Sequence, residues 1–487
     1  MWTLVFLCLL QWLQLGQGVS RWDVFSSKTL YEWAHDVKTP VFANEYNHVG
    51  VGNTLCKAIH VNMVVRHGAR NPTLKNMKKI KALHEKIVKS RKPSAFPELD
   101  NWSYRYNIER EGELVNKGIT EQNELGSRTG ARFQHMFDTN GKYVKFVSSR
   151  KSRAKDSAKH FHGGLSDYIV NKIPTFDNEI NNATMRFYDG CYNYENQVED
   201  NITHFKQFHD FSKTPQFINI AKALKNRLGI SFSLTDDDVY QIYEMCAYET
   251  YIFNDMTWCK LLTDDERKVL EYGQDLEKYY ESSYGHPINS QMACPLVKDM
   301  FETMDNAMNS SWDYENLGDM TNTSYLAAKF QFGHSETLVP LMTALGLYKD
   351  DGPLLATNFN TMSGRKFRTS NIGPYSTNLA FVIYACNNMN SLETNKVEPG
   401  SQDFVVKLFV NEKEVTIPAC DGWLCYYEKV KQKYEDYIKN CNIKEVCGAK
   451  PDDTDKSVDS KANILNFYDV FSKLSLLLPF ILLNWSI

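Results

Sequence analysis

Three separated segments of the 487-residue chain carry side chains suited to handling a phosphate ester. In Arg66-His67-Gly68-Ala69-Arg70-Asn71-Pro72 two arginines flank a histidine, Arg153 stands downstream, and His334-Ser335-Glu336 comes far later. Arginine matches phosphate through its planar fork of donors. A phosphoryl group in transfer spreads charge over its oxygens, so converging cations stabilise it. A neutral imidazole nitrogen can attack phosphorus, and neighbouring cations disfavour its protonation. The leaving oxygen needs a proton, and Glu336 is the nearest carboxyl donor to that basic set. The chain has no glycine-rich phosphate loop ending in Lys-Ser/Thr, no His-Glu-x-x-His and no Gly-x-Ser-x-Gly.

These residues converge only if the chain brings them to one edge. Ile59 to Val65 is an apolar run suited to a buried parallel strand, broken by the glycine and proline of the first motif. Met77, Ile80, Leu83 and Ile87 then recur at helical spacing. A helix over 118–133, a strand over 143–147 ending at Ser148-Ser149-Arg150, and a helix through Phe161 make a second unit. A strand at 329–332 ends at Gly333-His334, and a helix over 337–347 follows. Asn378 to Cys386 reads as another strand and Phe404 to Val415 as a hairpin turning near Asn411. The expected fold is α/β, with the motifs on strand-to-helix loops at the carboxyl edge of the sheet, where open α/β sheets bind ligands. Helical patterns over 214–228, 236–253 and 264–280, the last with a Thr263/Glu266 capping box, predict a mostly helical insertion. The expected layout is an α/β domain from 19–166 and 321–447, a helical cap at 167–320 and a stalk at 448–460.

The ends point to the secretory pathway. Residues 1–18 read as a cleaved leader. The tail 461–487 carries an apolar stretch too short to span a bilayer, preceded by small residues, so Ser460 is the expected site of a GPI anchor. A freely secreted form is the other reading. Removing Cys8 with the leader leaves ten cysteines, enough for five disulfides. Asn101, Asn182, Asn201, Asn309 and Asn322 are acceptors for N-glycosylation. A net charge of −4 argues against a nucleic-acid partner. It leaves room for a basic pocket holding a small anionic phosphate ester.

The first motif matches the Arg-His-Gly-x-Arg-x-Pro signature of the histidine acid phosphatases, and the chain resembles that superfamily from about Cys56 to Cys386. Glu336 in third position after His334 is similar to the multiple inositol polyphosphate phosphatase branch. So are Phe367-Arg368, Ile372-Gly373-Pro374-Tyr375 and Asn378-Leu379. Ala69 stands where that branch usually has Thr, and Ser335 where it has Ala. The resemblance implies a histidine-phosphatase-like α/β domain with a helical cap, and neither metal nor cofactor. It implies that His67 forms a phosphohistidine, that Arg66, Arg70, Arg153 and His334 hold the phosphate, and that Glu336 protonates the leaving oxygen and then activates water.

Other positions keep two readings. Thr73, Lys75, Arg150 and Arg368 are candidate substrate contacts; a solvated helix face is the default for the lysines of 75–79, and Arg150 is equally a solvated charge. Ser335 also suits a helix cap. His160 and His162 read as structural. The leading function is hydrolysis of inositol polyphosphates. The alternatives are a broad acid phosphatase of the prostatic or lysosomal type and a surface glycoprotein that binds phosphorylated ligands without turning them over.

Overall fold

A computed structural model of the chain describes residues 25–35, 48–51, 54–92, 94–137, 144–168, 176–201, 203, 205–309, 326–387 and 402–449. The leader, Cys8, Asn322, Ser460 and the tail lie outside the described residues. So does most of the stalk.

A mixed sheet organises the molecule. Its strands are β1 (His48–Val51), β2 (Thr54–Arg66), β3 (Val144–Ser148), β4 (Asn178–Ile180), β5 (Ala328–Gly333), β6 (Asn378–Asn387), β7 (Gln402–Val410), β8 (Lys413–Val415) and β9 (Leu424–Tyr426). They order as β4-β3-β5-β2-β6-β7-β8, with β1 beside β2 and β9 beside β7. The four strands on one side, β4, β3, β5 and β2, run parallel. β6 and β7 return antiparallel. The middle of β2 is buried on both faces: Ile59, Val61, Val64 and Val65 are fully buried, and so are His60 and Asn62, as a strand covered on both sides requires. The predicted hairpin is β7–β8, turning at Asn411 and Glu412, both at positive φ.

Helices cover the two faces. They are α1 (Leu74–Ser90), α2 (Asn116–Arg132), α3 (Ser152–Ser166), α4 (Pro215–Leu228), α5 (Asp236–Phe253), α6 (Asp264–Ser282), α7 (Cys294–Met308) and α8 (Ser335–Ala344). α1 buries Met77, Ile80, Leu83 and Ile87, the stripe predicted for it. α6 begins with the expected Thr263/Glu266 capping box, and α5 has a second one from Thr235 and Asp238. α4 opens on Pro215 and closes on Gly229 in the left-handed region.

The helical insertion is less separate than the sequence suggests. β4 falls inside residues 167–320 yet extends the sheet edge beside β3. α7 also lies within that range, but Phe301 packs on Phe381 of β6 with ring centroids 6.0 Å apart. Burial of its apolar face draws α7 onto the sheet, whereas the largely exposed β4 joins through its backbone pairing with β3. α8 ends at Ala344, three residues before the predicted end.

The ten cysteines pair as Cys56–Cys386, Cys191–Cys447, Cys246–Cys259, Cys294–Cys441 and Cys420–Cys425. Cys56 and Cys386 are direct partners across β2 and β6. Among the described residues no helix is long and apolar enough to cross a membrane.

Candidate active site

The site follows from strand register. Arg66 at the end of β2 lies opposite Gly333 at the end of β5, and Ser148 of β3 lies opposite Phe332. The next residues, His67, His334 and Ser149, therefore leave the sheet side by side. The His67 N–H donates to Gly333 O at 3.1 Å and the Ser149 N–H to Phe332 O at 3.1 Å. The His67 and His334 rings meet edge to face, with centroids 5.4 Å apart.

His67 is 3% exposed. Its Nδ1 lies 2.9 Å from Gly68 O. A carbonyl only accepts, so Nδ1 carries the hydrogen and Nε2 keeps its lone pair. Burial first, then Arg153, Arg66, His334 and Arg70, push its pKa well below the ordinary imidazole value. The ring is thus held neutral, with a lone pair left on Nε2. His334 is shifted the same way, by burial and then Arg153, with Glu336 opposing. Its Nε2 pairs with Ser149 Oγ at 2.8 Å.

The arginines are placed with open valences. Arg66 Nη1 donates to Ser27 O and Gly373 O, both at 2.6 Å, and its guanidinium lies over the Tyr375 ring. Arg70 Nη1 donates to Asn71 O at 2.8 Å, and Tyr251 Oη donates to Arg70 O. The Nε atoms of Arg66, Arg70 and Arg153, with His334 Nδ1, are buried without a partner among the described residues. Buried donors of that kind are costly unless an acceptor meets them. Burial and then Arg70 push Arg153 down to about 10.

Glu336 is the carboxylate set among these cations. It lines the site with its side chain 38% exposed, 3.7 Å from Lys278 Nζ. Burial favours its neutral form, but Lys278, His334, a backbone N–H and Arg66 outweigh that and hold it at about 2. It also acts on Arg70, Arg153 and Arg186. All six residues assigned to the chemistry are therefore in one cluster.

The four candidate contacts fare differently. Thr73 caps α1, accepting from the Asn76 N–H at 3.4 Å. Lys75 and Arg150 are exposed. Arg368 is committed to the buried Glu271 at 2.5 Å, part of a network in which Arg365 pairs with Asp275. It acts as a strut between α6 and the 365–370 segment, because a buried carboxylate needs a nearby cation more than solvent does. Sequence reading missed Ser149, Arg186 and Lys278. Ser149 had a signal, its position one residue past the β3 end; Arg186 and Lys278 had none. Arg186 binds Asp189 through two nitrogens, at 2.6 and 2.8 Å, and lies over Tyr188.

The loop bearing His67 is held from behind by α2. Glu121 accepts from the Ala69 N–H at 3.0 Å and the Tyr31 N–H at 2.9 Å, and burial pushes its pKa up to about 7. Gln122 Nε2 donates to Arg66 O at 3.0 Å. Gly118 touches the loop so closely that a Cβ there would sit 2.1 Å from Ala69 O and 2.5 Å from Ala69 N. Gly118→Ala is expected to cost about 1–3 kcal/mol and to lower kcat by displacing the loop. Denaturant titration together with steady-state rates checks this; an unchanged midpoint and unchanged kcat would refute the contact.

Comparison with known proteins agrees with this geometry. Residues 57–411 match the histidine phosphatase superfamily (branch 2). The chain is 30% identical over 446 residues to multiple inositol polyphosphate phosphatase 1 of Gallus gallus, covering 90% of this chain and 96% of that one. It is 29% identical over 444 residues to the Homo sapiens protein of the same name, covering 87% and 88%. The fold is shared with the multiple inositol polyphosphate phosphatase of Bifidobacterium longum solved with inositol hexasulfate (TM-score 0.65, 17% identity, 86% and 98% covered). It is shared also with the phytase from D. castellii (TM-score 0.64, 20% identity, 83% and 85% covered). With the signature residues gathered at one sheet edge and the match spanning most of the chain, this protein belongs to branch 2 of the histidine phosphatase superfamily.

Proposed function

We propose that the protein is a phosphomonoesterase that hydrolyses inositol polyphosphates through a phosphohistidine on His67. The observation carrying this is a neutral imidazole, its Nε2 free, among Arg66, Arg70, Arg153 and His334 beside Glu336. The arginines and His334 take the phosphate oxygens as charge spreads over them. His67 Nε2 forms a bond to phosphorus while the bond to the inositol oxygen breaks, and Glu336 gives its proton to that oxygen. A water then attacks phosphorus, Glu336 takes its proton, the nitrogen–phosphorus bond breaks and inorganic phosphate leaves. The hydrogen bond from Nδ1 to Gly68 O keeps the ring oriented and supports the positive charge it gains on attack.

Specificity rests on the cations beyond the first phosphate. Arg186 brings further positive charge within electrostatic reach of Glu336 and Arg153. Its origin supports a division of labour. Residues 19–166 and 321–447 supply nucleophile, arginines and acid, and 167–320 supply contacts to the rest of the substrate. Phosphate release from inositol hexakisphosphate should exceed that from a simple aryl phosphate in kcat/KM. A strong aryl preference would instead support the broad acid phosphatase.

The five disulfides favour an oxidising compartment, hence the secretory pathway. Asn101 and Asn309 are exposed, as glycan carriers must be. We read Ser460 as the anchor site. A phosphatidylinositol-specific phospholipase should then release the protein from cells, and retention would refute the anchor.

A further inference from the structure

We infer that Lys278 is a positioning residue that sets how firmly Glu336 holds its proton, and that Glu281 tunes Lys278. The inference rests on the phosphohistidine reading above, in which Glu336 is both acid and base. Lys278 and Glu281 lie one turn apart on α6, and their side chains form an ion pair. Both are largely shielded, at 18% and 22% exposure. The same Lys278 Nζ reaches toward Glu336 Oε1 but stops at 3.7 Å. The ammonium is thus shared, held back by Glu281 from closing on the catalytic carboxyl.

The other groups acting on Glu336 come from every side. His334 caps α8, Arg66 ends β2, Arg70 belongs to the loop after it, and Arg153 to α3. Arg186, Tyr188 and Tyr194 belong to the segment between β4 and α4. Most of these cations are consumed when a phosphate dianion binds, because its charge offsets theirs. Lys278 has a resident anion of its own in Glu281, so its effect on Glu336 persists through the catalytic cycle. Lys278 is not itself the proton donor: burial opposes its charge, but Glu281, Glu336 and Glu277 more than offset that and raise its pKa far above the range where it could release a proton.

A nearby cation favours the ionised carboxyl, so removing it lets Glu336 keep its proton to higher pH. Freeing Lys278 from Glu281 lets it approach Glu336 and has the opposite effect. In the purified full-length protein with inositol hexakisphosphate, Lys278→Met should move the alkaline limb of the kcat–pH profile up by about one unit or more. Glu281→Gln should move it down. A purely structural role would lower rates without moving the limb in opposite directions. Limbs that stay in place in both variants, or shift the same way, overturn the inference. Failure of the underlying reading is seen separately, in wild-type protein that forms no phosphoenzyme.

Discussion

Replacing His67 with alanine should lower kcat by about 10⁴-fold or more while leaving the fold and anion binding in place, as loss of a covalent nucleophile does. In this reading the imidazole Nε2 supplies the lone pair that attacks phosphorus; the arginines can bind but cannot form the intermediate. Their backbone contacts do not involve the His67 ring, since Arg66 is anchored on Ser27 and Gly373, and Arg70 on Asn71. Inorganic phosphate should therefore still bind the variant. Acid-labile, alkali-stable phosphate on the quenched wild-type protein, absent from the variant, is the direct check. Turnover surviving in His67→Ala would remove the histidine from the mechanism. The depressed pKa has a consequence for pH. A base whose folded pKa lies below about 6.5 stays unprotonated as pH falls through that value, so attack persists in acid. The acid limb should lie well below the pKa of a free imidazole.

Glu336→Gln should reduce hydrolysis of inositol phosphates by about 10²–10⁴-fold, the usual share of one general acid–base group. The loss should depend on the leaving group. An inositol alkoxide leaves only with a proton, whereas a nitrophenolate leaves without one. With an aryl ester the variant should give a burst of phenolate and then slow turnover, because the phosphohistidine forms normally but water is no longer activated. With inositol hexakisphosphate no burst should appear. An undiminished burst on the inositol substrate would show that another group supplies the proton. The ionised state of Glu336 in the free site is compatible with this role. The surrounding cations hold it at about 2, and a substrate carrying several negative charges offsets them, so the carboxyl gains affinity for a proton as substrate enters.

Much of the site was legible in the chain because it is written in short runs. The first motif ends an apolar strand and opens a helix, and the structure keeps that order from β2 through Thr73 to α1. His334 and Glu336 likewise occupy a strand end and the first turn of α8, where the helix dipole favours a carboxylate. The extra contacts were harder. A charged residue close in sequence to the motif looks like part of the site, yet Lys75 faces solvent because α1 turns its apolar stripe inward. Arg368 looks free until the fold sets Glu271 against it.

By itself the sequence determined the parts whose physics is local: the strand-loop-helix units, the capping box of α6, the β7–β8 turn and the placement of His67 and its nearest cations at strand ends. Tertiary structure decided everything that depends on which distant segments meet. Cys56 finds Cys386 across a separation of 330 residues only because β2 and β6 pair in register. Lys278 faces Glu336 only because α6 packs against α8. Strand register and helix packing result from burying the whole apolar surface at once, and no short window of residues contains that sum.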